Sequence, residues 1–168
     1  MPTESKLDDD GVVLLEERGE LIIRGRRHVA IDADSFVSLL NDLCGAQVSE
    51  VILSNIEYQI GKQDCQRIRV AKPQASVIAV IDDLIKSEAA SGVGLMRLKL
   101  PQSNDQPMFM ELSNPCIKTD IGAGNAFSFS YWAGALAFLI GKDLTVKDVI
   151  YDPQSDVKKC RLVPRRTN

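Results

Sequence analysis

One histidine in 168 residues, and no pair of cysteines at short spacing, leave little of the equipment that catalysis usually needs. His28 sits beside Arg26 and Arg27 on an expected strand or turn, where an imidazole reads as a surface group with no acid–base task. No Gly-x-Ser-x-Gly elbow occurs, so nucleophilic hydrolysis has no sequence support. Gly122–Ala123–Gly124 precedes a helix but lacks a third glycine and a phosphate-binding lysine, and reads as a structural loop. Cys44, Cys65, Cys116 and Cys160 stand far apart, and the polar, acidic stretch Met1 to Asp10 has no signal or transit character. Free thiols in a reducing compartment follow, and the expected location is cytoplasmic. The longest apolar run, Ala133 to Ile140, is interrupted by Gly134 and too short to span a bilayer, so no transmembrane segment is expected. A formal charge of −3 excludes a broad nucleic-acid footprint. The basic groups at Arg24, Arg26 and Arg27, and at Lys158, Lys159, Arg161, Arg165 and Arg166, read as solvated strand ends.

Hydrophobic residues at 45% and charged residues at 26% make an ordinary globular balance. The expected organisation is a disordered tail over 1–10 and a single domain over 11–168. A hairpin is expected from Gly11–Leu15 and Glu20–Arg24 around Glu16–Gly19. Phe36, Leu39, Leu40 and Leu43 mark a first helix, capped by Asp32 or Asp34 and stopped at Gly45. A second opens near Ser49, with Val51, Ile52, Asn55, Ile56, Gln59 and Ile60 at helical period, and runs to about Val70 ahead of Pro73. A third spans roughly Gln74 to Glu88, with Val77, Ile78, Ile81, Leu84 and Ile85 inward. A strand over Leu95–Leu100 pairs with Met108–Leu112, and an irregular loop follows. The last elements are a helix over Ala126–Gly141, apolar nearly all round, and two strands, Val146–Tyr151 and Val157–Val163.

More than half of the chain's few aromatics fall on that late helix: Phe127, Phe129, Tyr131, Trp132 and Phe138. Most of them serve core packing. The sharper reading is that small neighbours (Ala133, Gly134, Ala135, Ala137) leave room for a flat or elongated ligand. Asp82–Asp83 and Asp8–Asp10 read as solvated carboxylates. Cys116, Asp148, Asp156 and Cys160 are candidate metal ligands, but without a close ligand pair.

Two segments resemble the 4-vinyl-reductase-like hydrocarbon-binding domain and its relatives, the small subunits of the TRAPP vesicle-tethering complex. The first is Ile56-Glu57-Tyr58-Gln59-Ile60-Gly61. The second is Tyr131-Trp132-Ala133-Gly134 followed by Gly141, Val146 to Val149, Cys160 and Leu162. The resemblance implies an α/β fold of α+β type, an antiparallel sheet against a helical layer, as in ligand-binding domains of NO-signalling and Golgi-transport proteins. It also implies a homodimer and a pocket for a hydrophobic small molecule, with Tyr58, Phe127, Phe129, Tyr131, Trp132, Gly134 and Phe138 as the expected ligand-binding residues. Sensory members of the family hold zinc with a carboxylate and three cysteines. Here Asp148 and Cys160 fall on two of those positions, while Asn125 and Tyr151 occupy the others, so no metal is expected. No nucleotide fingerprint is present, and no cofactor is expected. Three functions follow: a non-catalytic binding module for a tetrapyrrole or aromatic compound, such as an accessory factor in chlorophyll metabolism or photosystem assembly; a TRAPP-like dimeric scaffold without ligand; or an accessory component of a vinyl-group reductase.

Overall fold

The computed structural model describes residues 12–15, 20–23, 26–28, 31–100, 107–119, 122–125 and 127–165. The tail expected over 1–10 and the turn at Glu16–Gly19 lie outside them. Strands β1 (Val12–Leu15), β2 (Glu20–Ile23) and β3 (Arg26–His28) form a three-stranded antiparallel sheet, with Leu14 opposite Leu21 and Ile22 opposite Arg27. The expected hairpin is present, and the segment after it adds a third strand.

Asp32 caps helix α1 (Ala33–Cys44), its carboxylate accepting the Ser35 N–H at 2.7 Å. Gly45, at φ 78°, ends α1 and leads directly into α2 (Ala46–Ala71), which starts three residues earlier than expected. Ser49 is buried in the first turn of α2, bonded to the Asn41 side chain and to the Ala46 carbonyl. Helix α3 (Val77–Ala90) is capped by Ser76, whose hydroxyl accepts the Ala79 N–H at 3.1 Å.

The burial of α2 corrects the expected inward face. Val51, Ile52, Ile56 and Ile60 are exposed, whereas Ser49, Leu53, Gly61 and Cys65 are buried. The reason is close approach. A Cβ at Gly61 would collide with the Tyr131 carbonyl of helix α4 (Phe129–Ile140), and one at Gly134 would collide with the Tyr58 carbonyl of α2. The two helices cross backbone to backbone at these glycines, and that contact fixes which side of α2 faces inward. Leu39 and Leu43 on α1, and Val77 and Ile78 on α3, are likewise exposed, while Val37, Val80, Ile81 and Leu84 are buried.

The second sheet runs β4 (Leu95–Lys99), β5 (Met108–Ser113), β7 (Val157–Pro164), β6 (Leu144–Asp152), antiparallel throughout. Period-2 alternation buries Met108, Met110 and Leu112 on β5, and Lys158, Cys160 and Leu162 opposite them on β7. Helix α4 packs on this sheet with every residue from Phe129 to Ala137 buried, as its near-uniform apolarity implies. The fold is thus the expected α+β arrangement of an antiparallel sheet against helices. Among the described residues, no helix is long and apolar enough to cross a membrane.

Candidate functional site

A cavity of about 480 Å³ lies between α2, α3 and the entry to α4. That is within the range of small-molecule sites, roughly 300–1,000 Å³. Its apolar wall includes Ile60 and Ile68 from α2, Leu84 from α3, Val93 beyond it, and Phe127 and Tyr131 from the α4 region.

Two of the polar groups, Glu57 and Glu88, meet at Ser128. This residue starts α4 at φ 70° and ψ −38°, a left-handed conformation that costs energy in a non-glycine residue, and its side chain makes no cap bond. Its N–H donates instead to both carboxylate oxygens of Glu57, at 3.1 and 3.0 Å, and its hydroxyl donates to Glu88 at 3.2 Å. Two helices therefore each place a carboxyl at the positive end of a third. Burial pushes Glu57 up to about 8; the Glu88 charge adds to the rise, while the Ser128 N–H and Lys158 oppose it. Burial likewise lifts Glu88 to about 7, against the pull of the Ser128 hydroxyl and with a further push from the Asp64 charge. Asp64 and Arg67, also on the wall, form an ion pair at 2.7 Å.

The expected ligand-binding residues do not converge on one cavity. Phe127 and Tyr131 line the cavity just described. Tyr58 lines a second groove of about 310 Å³ with Ser130, Ala133 and Leu144. There its hydroxyl donates to Asp143 at 2.7 Å and its ring lies under the Lys62 ammonium. Burial, then the bond to Asp143, raises the Tyr58 phenol to about 12. Phe129 and Trp132 are fully buried in the main core, Gly134 is closed against Tyr58, and Phe138 is partly exposed; none of the four lines either space. The small residue at 134 serves helix contact rather than ligand room. Among the described residues, Trp132 Nε1 has no hydrogen-bond partner.

Glu57, Glu88 and Ser128 were missed as site residues. The sequence offers little signal for them: Glu57 stands in the mixed stretch Asn55-Ile56-Glu57-Tyr58-Gln59, and Glu88 near the end of α3. The two positions matching the family's zinc ligands are engaged elsewhere. Asp148, on a β-bulge, pairs with Arg161, and the Cys160 thiol is buried in the sheet's inner face, where desolvation raises its pKa. Among the described residues, no three His, Cys, Asp or Glu side chains gather as a metal site.

No protein-family model and no curated protein sequence matches the chain. Solved structures do resemble its fold. The phenol-responsive sensory domain of the transcription activator PoxR, determined with phenol, superposes with a TM-score of 0.66 at 11% identity, covering 92% of this chain and 85% of that one. A vinyl-4-reductase family protein from Methanocaldococcus jannaschii gives a TM-score of 0.53 at 16% identity, covering 83% of this chain and 85% of that one. At such identities the likeness is one of fold, and it confirms the α+β architecture implied by the sequence resemblance.

Proposed function

We propose that this protein is a non-catalytic binding module that holds a hydrophobic small molecule between α2, α3 and the start of α4. The observation that carries the reading is the cavity itself: about 480 Å³, with an apolar lining of Ile60, Ile68, Leu84, Phe127 and Tyr131 and with Glu57 and Glu88 joined through Ser128 among its polar groups. The strained Ser128 supports it, because such backbone persists where surrounding structure holds it in place and clusters at ligand sites. The similar fold of a phenol-responsive domain supports an aromatic compound of one or two rings. A tetrapyrrole, and with it an accessory role in chlorophyll metabolism or photosystem assembly, would need the helices around the cavity to part. Catalysis has less support: the Ser128 hydroxyl meets Glu88, but no histidine stands beside the carboxyls among the described residues and the sequence carries no cofactor motif. Cytoplasmic residence is part of this reading, with the free thiols of Cys44, Cys65, Cys116 and Cys160 in its support.

A homodimer accompanies this function. Val48, Ile52, Ile56 and Ile60 recur at every fourth residue along α2, all exposed, with Val51 beside them. Contiguous apolar surface of this kind marks an interaction face, and a second copy offers the same ridge.

Calorimetric titration with phenol tests the binding reading. One saturable site per chain is expected in the wild type. Ser87 lines the cavity from α3, so Ser87→Phe fills it and abolishes binding while melting near wild type. A wild type that binds neither phenol nor other small aromatics would overturn the proposal. Unaltered binding by the variant would place the ligand elsewhere.

A further inference from the structure

Glu57 and Glu88 approach one apolar cavity from different helices, and protein partners leave most of their hydrogen-bonding capacity unused. An ionised carboxylate offers about four acceptor sites. Among the described residues, Glu57 directs both oxygens to the single N–H of Ser128, and Glu88 receives only the Ser128 hydroxyl. The cations nearby are engaged. Arg67 pairs with Asp64, and the buried Lys158 ammonium bonds the Gly124 carbonyl while attracting Glu57 from that position. The Cys116 thiol, on the loop before the Gly122–Gly124 turn, is held neutral with its pKa raised to about 11 by burial and by Glu88, so it adds no negative charge of its own. The site therefore combines an apolar wall with two carboxyls that form no ion pair with a described side chain, the Lys158 charge being the weakest of the influences on Glu57.

Resting on the reading that this cavity holds an apolar small molecule, we propose that the ligand carries a cationic nitrogen, an alkyl- or arylalkylammonium. Its head docks between Glu57 and Glu88, and its hydrocarbon lies against Leu84, Ile68 and Phe127. An ammonium brings three donors, enough to reach both carboxylates, and charge-assisted bonds of this type are about twice as strong as neutral ones. A neutral alcohol of the same shape brings one donor and leaves the second carboxyl unmatched.

The charge state makes the proposal measurable. Burial holds Glu57 at about 8 and Glu88 at about 7, so near neutral pH the pair retains protons that a bound cation displaces. Protons and ligand compete for the same carboxylates. Affinity for an ammonium therefore rises as pH is raised through about 7 to about 8, with protons released on binding.

The test compares 2-phenylethylamine with 2-phenylethanol by calorimetry, in two buffers of different ionisation enthalpy, at pH 6 to 8. The amine is expected to bind roughly tenfold tighter than the alcohol at the upper end, with protons released. Glu88→Gln keeps the side chain's shape and its bond to the Ser128 hydroxyl; it should remove that preference and much of the proton release while still binding the alcohol. The pH dependence of the wild type stands as evidence whether or not the variant folds. If alcohol and amine bind equally, or Glu88→Gln keeps the preference, the cationic ligand is wrong and the cavity reading survives. If neither compound nor phenol binds, both fail together.

Discussion

At Gly134 and Gly61 a missing side chain decides where two helices meet. Each glycine faces a carbonyl of the opposite helix, so the crossing tolerates no Cβ on either side. Gly134→Ala is expected to destabilise the fold by about 1–3 kcal/mol through forced separation of α2 and α4, and Gly134→Leu by more. Urea unfolding checks this; a Gly134→Leu protein as stable as wild type would mean that the helices part freely and that position 134 has room after all. The sequence marks this glycine as either a ligand-facing gap or a packing contact, since both uses call for a small residue among aromatics. Only the facing backbone of Tyr58, far away in the chain, distinguishes them. Glu57 and Glu88 were illegible for a related reason. A carboxylate on a helix looks solvated until the start of another helix, at Ser128, is found against it.

Helix α2 has two apolar faces, and periodicity alone does not say which one the domain buries. The bulky face, through Val48, Ile52, Ile56 and Ile60, fits the amphipathic pattern better, yet the inner face carries Ser49, Leu53, Gly61 and Cys65. Small residues win because they admit α4, while the branched side chains remain outside for a partner. Replacing Ile56, half exposed at 50%, by Asp should leave the fold intact and give a monomer by sedimentation at micromolar concentration. A wild type that is itself monomeric there would remove the dimer. The other elements were largely legible. The strands β4 to β7 alternate or sit between turn residues, and the apolar α4 is expected to be buried, in the domain's centre or under a partner; Phe129 to Ala137 are buried within the chain, while Phe138 and Ile140 stay exposed. Boundaries shifted by a few residues at α2 and α4. Gly45 permits an immediate restart, and the capping role at α4 passes from a local side chain to Glu57.

In the whole molecule, α4 and the four-stranded sheet share one core, while α3 joins it through Val80, Ile81 and Leu84 and contacts α2 only lightly. The cavity occupies the space that a closer α2–α3 contact would fill, so a ligand there supplies the missing packing between them. Ligand binding to the native state alone stabilises it by about 2.7 kcal/mol at a hundredfold excess over Kd. The gain should not be uniform in its local effects. Amides of α3 and of the first turn of α4, beginning at Ser128, should gain the most protection from hydrogen exchange. Those of β6 and β7, held by their own ladder, should change only with global stability. Exchange measured by mass spectrometry with and without saturating phenol separates these regions. Protection confined to β6 and β7, or to the groove around Tyr58 and Leu144, would place the ligand on the other side of α4 and move the functional site with it.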